Sequence, residues 1–149
     1  MRVQDVIKTK GDAVITVAET IRVSQAVQVM ERRAIGALVV VASDGQLRGV
    51  LSEREVISAL ARHGKATLDL RVADLMLRSP LAVAPTDGVR EAMQIMTEHR
   101  VRHLPVILER SVVGLISLGD TVKARLSEKI AENLVLQDIA RWPAAKVSS

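Results

Sequence analysis

The chain repeats itself. That constrains its fold more than any other feature, because a sequence recurring at a fixed spacing must build the same supersecondary unit twice. "AVQVM" at 26–30 reappears as "AMQIM" at 92–96, and Leu38 in "ALVVVAS" reappears as Leu104 in "HLPVILE", both 66 positions later. One residue is then lost where "SDGQ" becomes "ERS", and beyond it "RGVLSEREVISAL" at 48–60 matches "VGLISLGDTVKAR" at 113–125. Upstream, "MRVQDVI" at 1–7 matches "LRVADLM" at 70–76, so a short leading segment recurs with each copy.

Both copies read alike. A strand of β-branched and alternating residues is expected at 14–17 and again at 81–84. A helix follows, with Val23, Ala26, Val27, Met30 and Ala34 in one copy and Val89, Ala92, Met93 and Met96 in the other falling on one helical face. Two short strands come next, around 38–42 and 47–51, then around 104–108 and 112–116, and a second helix starts at Ser52 or Ser117. Neither unit carries enough apolar area to stand alone, so an α/β (α+β) fold is expected in which two strand-helix-strand-strand-helix units pack around a pseudo-twofold axis. Gly64 should stop a helix and Pro80 should fix the entry to the next strand.

Composition narrows the chemistry. The 149 residues include no Cys, Phe or Tyr and a single Trp, Trp142, so thiol catalysis, thiolate metal sites and disulfides are excluded, and the composition argues against aromatic stacking as the main binding device. The longest apolar run, 37–42, is far short of a membrane span, and "MRVQDVIKTK" lacks the apolar centre of a signal peptide, so a cytoplasmic chain without a membrane partner is expected. The net charge is +4, with 21 basic and 17 acidic residues scattered along the chain. Such a mixed surface has neither a basic run nor a stacking surface for nucleic acid.

Two tandem units of this order, each carrying Gly-apolar-apolar-Ser-x-x-acid, resemble a pair of CBS domains, the repeat named after cystathionine β-synthase and often called a Bateman module. "KTKG", "IGALVVV", "SEREV", "RVRHLPV" and "GLISLGDTVKAR" are similar to segments of the small stand-alone bacterial proteins that consist of one such pair. The resemblance implies repeat 1 with its leading segment at 1–66, repeat 2 with its linker at 67–126, and a C-terminal helix and tail at 127–149. It also implies a regulatory, non-catalytic homodimer that requires no cofactor, acts on a protein target the sequence does not name, and binds an adenine nucleotide (AMP, ATP, ADP or NAD) between the repeats. The family's ribose-binding carboxylate falls on Asp120. In the first copy that position is Glu55, a departure from the pattern. The remaining ligand-binding candidates carried over are Ser52, Arg54, Gly36, Lys10, Val83, Arg102, His103, Pro105 and Ser117.

The residues support this chemistry on their own terms. Ser117 ends a strand and opens a helix whose first N–H groups lack internal partners, a setting that favours an anion. Asp120, one turn in, offers acceptors suited to the two neighbouring hydroxyls of a ribose. Ser-x-x-Glu is also the pattern of a capping box, which Glu55 suits better than the shorter Asp120. Arg102 and His103, with Arg100 nearby, are expected to face the helix at Ser117 and hold a phosphate, with Arg54 reaching in from the other copy. In the first copy the corresponding stretch has Gly36 and Ala37 and no charge, leaving Lys10 and Arg54 as its cations. Pro105 cannot donate to a ladder and marks a strand start or an edge.

Catalytic arrangements fail. Leu115 stands where a nucleophile elbow needs glycine, Ser117 and Asp120 share one helical turn, and His63, His99 and His103 lack metal-ligand spacing. The alternative to nucleotide sensing is a structural or protein-binding pair with vestigial sites. Ile130, Leu134 and Ile139 predict a final helix over 127–142 that packs on the dimer.

Overall fold

Short apolar stripes and β-branched runs segregate cleanly along this chain into helices and strands. The computed structural model describes residues 1–11, 14–78 and 80–141. Helix α1 (Val3–Lys10) leads into β1 (Thr16–Ala18), α2 (Val23–Arg33), the hairpin β2 (Ala37–Val41) and β3 (Leu47–Ser52), and α3 (Glu53–His63). A 3₁₀ helix (Gly64–Asp69), α4 (Val72–Leu75) and β4 (Leu77–Arg78) connect to the second half, made of α5 (Val89–His99), β5 (His103–Leu108), β6 (Ser111–Ser117) and α6 (Leu118–Ala140). Gly64 does end α3, in the left-handed region at φ 59°.

The first sheet has the order β1-β2-β3-β4, with β1 parallel to β2 and the other neighbours antiparallel. The second sheet is the hairpin β5-β6. Residues 81–84 form no strand, contrary to the sequence expectation; Val83 alone makes a parallel bridge to Val106, its N–H donating to the Pro105 carbonyl at 3.0 Å. Pro80 and Pro85 flank that segment and donate nothing, so no ladder can extend in either direction. Pro105 lies inside β5, opposite Leu115, and serves the bridge through its carbonyl.

Each leading segment packs on the opposite repeat. Val3 and Val6 of α1 join the core of the second half with Val89, Ala92, Met96, Leu104, Val106 and Ile116. Val72 of α4 and Met76 join that of the first half with Ala26, Met30, Leu38, Val40 and Leu51. The backbone bonds match pair by pair. Val3 N–H donates to Asp87 O at 2.8 Å and Gln4 N–H to Pro85 O at 2.9 Å, while Val72 N–H donates to Ile21 O and Ala73 N–H to Glu19 O, both at 2.9 Å. Two glycines admit these segments. A Cβ on Gly114 would come within 2.7 Å of Ile7 Cδ1, and one on Gly49 within 2.6 Å of the Leu77 carbonyl oxygen. Ile7 and Met76 hold equivalent places in the two leaders, so the exchange is reciprocal and obeys the pseudo-twofold axis.

The helix expected over 127–142 is not a separate element, because α6 runs unbroken from Leu118 to Ala140. Val122, Leu126, Ile130, Leu134, Val135, Leu136 and Ile139 on it are exposed. Trp142 and the residues after it lie outside the described residues.

Candidate clefts between the repeats

Strand β6 delivers the chain to Ser117, where the backbone turns into α6 with Ser117 as its extended N-cap. The Ser117 hydroxyl accepts from Asp120 N–H at 3.0 Å, and Asp120 Oδ2 accepts from Ser117 N–H at 2.9 Å. Aspartate thus completes a capping box here despite its short side chain, because the Cβ at the third helical position already leans toward the helix N-terminus. Lys10, from the other repeat's leader, donates to the same Oδ2 at 3.0 Å and to Leu115 O at 3.2 Å. Burial pushes the Asp120 carboxyl up, but the Ser117 N–H and the Lys10 ammonium outweigh it and hold it below the usual carboxylate range.

This helix start opens on a cleft of about 550 Å³ between the repeats. Lys10, Ser117, Leu115 and Gly114 line one side, and Arg33, Ile35 and Gly36 of the α2–β2 turn line the other. Ile7, Val14 and Ile15 supply apolar wall.

The pseudo-symmetric cleft, of about 500 Å³, opens at Ser52. Ser52 N–H donates to Glu55 Oε2 at 3.2 Å, and the Ser52 hydroxyl contacts the same oxygen, so Glu55 caps α3 as its residue type predicts. Arg54 and Arg62 of α3 face this cleft, as do His99, Arg100 and Arg102 around the α5–β5 turn. Arg54 Nη1 donates to Arg100 O at 3.4 Å, joining the two repeats across it.

The sequence candidates therefore divide between two places. Ser117 and Lys10 line the first cleft, with Asp120 bonded to both; Ser52, Arg54, Glu55 and Arg102 line the second; Gly36 and His103 line both. Arg102 does not share the Ser117 cleft, although its carbonyl accepts from Leu118 N–H at 2.8 Å. Arg102 lies just before β5, outside the strand, and its side chain lines the Ser52 cleft, which His103 also borders. Val83 and Pro105 are buried and line neither cleft. His103 is held below its ordinary pKa by burial, with Glu55, Asp120 and Glu53 opposing and Lys10 reinforcing the shift.

Sequence reasoning missed Arg33 and Arg62. Arg33 occupies the place that His99 holds in the other copy, and that equivalence is the signal that finds it.

The chain matches the CBS domain family twice, over residues 3–62 and 72–127. It is 35% identical to the mitochondrial CBS domain-containing protein CBSX3 of Arabidopsis thaliana over 85% of this chain and 65% of that protein, so it spans just under two thirds of that relative. The crystal structure of a CBS-domain containing protein from Agrobacterium tumefaciens superposes with a TM-score of 0.79 at 35% identity, covering 83% of this chain and 92% of that one. A CBS domain protein from Pyrobaculum aerophilum, complexed with AMP, is similar at 25% identity and a TM-score of 0.73 over 80% and 89% of the two chains. With both repeats matched and the paired architecture shared, the chain belongs to the CBS domain family as a tandem pair.

Proposed function

We propose that the protein is a regulatory module that binds an adenine nucleotide (AMP, ATP, ADP or NAD) between its repeats, reports cellular energy or redox state to a protein target, and carries out no catalysis. The observation that carries this reading is the helix start at Ser117, where two cations, Lys10 and Arg33, border an inter-repeat cleft of about 550 Å³ and Asp120 is bonded to Lys10 and Ser117 of its lining. Lys10 and Ser117 bond Asp120 through Oδ2, which leaves Oδ1 to accept from ribose hydroxyls. Ile7, Val14, Ile15 and Ile35 offer the apolar surface against which a base can lie. The relative complexed with AMP supports the ligand class.

Calorimetry with AMP, ADP, ATP and NAD tests this. Asp120→Ala should weaken the nucleotide that binds by about 1.5–3 kcal/mol, the cost of hydrogen bonds to a charged acceptor. Unchanged affinity would remove Asp120 from the site.

The second reading, a protein-binding or structural pair, draws on the capping boxes that already occupy both acids and on the apolar side chains that α6 exposes. It predicts a chain whose thermal midpoint no nucleotide raises. Homodimerisation fits either reading, since the apolar side chains of α6 offer surface to a second copy. Among the described residues no helix is long and apolar enough to cross a membrane.

A further inference from the structure

One titratable side chain borders both clefts. His103 opens β5 opposite Ser117, the cap of α6, and it lines the Ser117 cleft and the Ser52 cleft alike. Its counterpart in the first copy is Ala37, which stands opposite Ser52 in the same register and carries no charge. Two cavities therefore share one ionisable ring.

Charge surrounds that ring. Glu53 and Glu55 of α3, Asp120 of α6 and Lys10 of α1 act on it, Arg33 borders the Ser117 cleft with it, and Arg54, Arg62, Arg100, Arg102 and His99 border the Ser52 cleft. Burial favours the neutral ring and Lys10 adds to that preference, against Glu55, Asp120 and Glu53, so the imidazole is mostly uncharged at neutral pH. An anion brought within about 4–6 Å would favour the charged form instead. The geometry points to His103 as the side chain that couples the two clefts: an anion held in either is met by a proton on the shared imidazole, and the resulting cation draws an anion into the other. The first anion must bring the proton in, whereas the second binds beside a charge already in place. Occupancy of the two clefts is then positively linked, and each affinity rises as pH falls through the liganded titration of the ring and levels off below the free one. The inference rests on the proposed ligand role of the clefts for their occupancy by anions and on none of the choices among nucleotides.

The imidazole resonances of the full chain test it, followed by NMR across pH in chloride, in sulfate at the same ionic strength and with saturating AMP. Sulfate stays divalent over the range in which histidine titrates. His103, assigned from the spectrum of His103→Gln, should titrate below His63 in chloride and move up by about one pH unit or more with either anion, a tenfold coupling. His63, at the exposed end of α3 and on neither cleft, should hold its position. Arg33→Gln alters only the Ser117 cleft and Arg54→Gln only the Ser52 cleft, so each should reduce the shift and neither should abolish it. If one of them alone abolishes it, or if neither anion moves His103, the coupling is overturned. AMP binding that leaves His103 unmoved would overturn the coupling and leave the nucleotide reading intact, whereas a response to sulfate without any binding of AMP would do the reverse.

Discussion

The exchange of leading segments is open to a direct test through the two glycines that admit them. At Gly49 an added Cβ would lie 2.6 Å from the Leu77 carbonyl oxygen and 3.0 Å from Met76 Sδ. That carbonyl belongs to β4, whose residues pair with Gly49 and Val50 of β3, so relief requires peeling a strand from the sheet. At Gly114 the nearest atom, at 2.7 Å, is the terminal Cδ1 of Ile7, which can rotate away. Overpacking costs about 1–3 kcal/mol, and an alanine recovers about 0.4–1 kcal/mol by stiffening the unfolded chain. Gly49→Ala should therefore destabilise by about 2 kcal/mol and Gly114→Ala by about 1 kcal/mol or less, lowering the urea midpoint by roughly 1 M and 0.5 M at an m-value near 2 kcal/mol/M. Ile7→Val removes the clashing methyl, so its own cost should shrink in the Gly114→Ala background, giving a non-additive pair. If Gly49→Ala is no more costly than Gly114→Ala, or if Ile7→Val and Gly114→Ala simply add, the leaders do not pack as described.

Two further outcomes are expected. Glu109 and Arg110 form the two-residue turn between β5 and β6 with φ of 50° and 70°, a region that costs an L-residue about 1–2 kcal/mol. Arg110→Gly should raise the urea midpoint by the equivalent of about 1 kcal/mol while Arg110→Ala leaves it unchanged. Asp120 titrates below its ordinary value in the folded chain, so its stabilisation is complete above about pH 4 and is lost as pH falls through the lowered folded value. Asp120→Asn should reduce stability at neutral pH and flatten the acid limb, as read from urea midpoints across the pH range.

What could be read from the sequence was whatever periodicity and punctuation encode. The helices over Val23–Arg33 and Val89–His99, both hairpins and the helix starts at Ser52 and Ser117 all carry local signals, and each appears where the pattern places it. The exchange of leaders carries no such signal. Val3 and Val72 are equally apolar whichever sheet they cover, and only the three-dimensional path of the connection decides between the two. The same limit applied to the clefts. Arg102 stands next to His103 in the sequence, yet His103 borders both clefts and Arg102 only the one at Ser52, so the phosphate-binding group expected around Ser117 is divided in the structure. The strand expected at 81–84 failed for a legible reason, since two prolines bound it.

Several equivalent pairs at the centre of the two cores are identical, while several pairs that line a cleft differ. Val23 and Val89, Ala26 and Ala92, Met30 and Met96, Leu38 and Leu104, and Val40 and Val106 are identical pairs, and every member is nearly or completely inaccessible. Close packing explains the agreement, because even one extra methylene in such positions is felt throughout the core. Gly36 and Arg102, Ala37 and His103, Ala34 and Arg100, and Gly119 and Arg54 are equivalent pairs of unlike size and charge, and at least one member of each faces an inter-repeat cleft. No packing rule forces those pairs to match, and the backbone tolerates the difference even in the left-handed region, where Ala34 and Arg100 have φ of 53° and 55°. Duplication of one unit therefore yields a symmetric scaffold with two chemically unequal cavities, and the inequality resides in side chains that contribute little to folding.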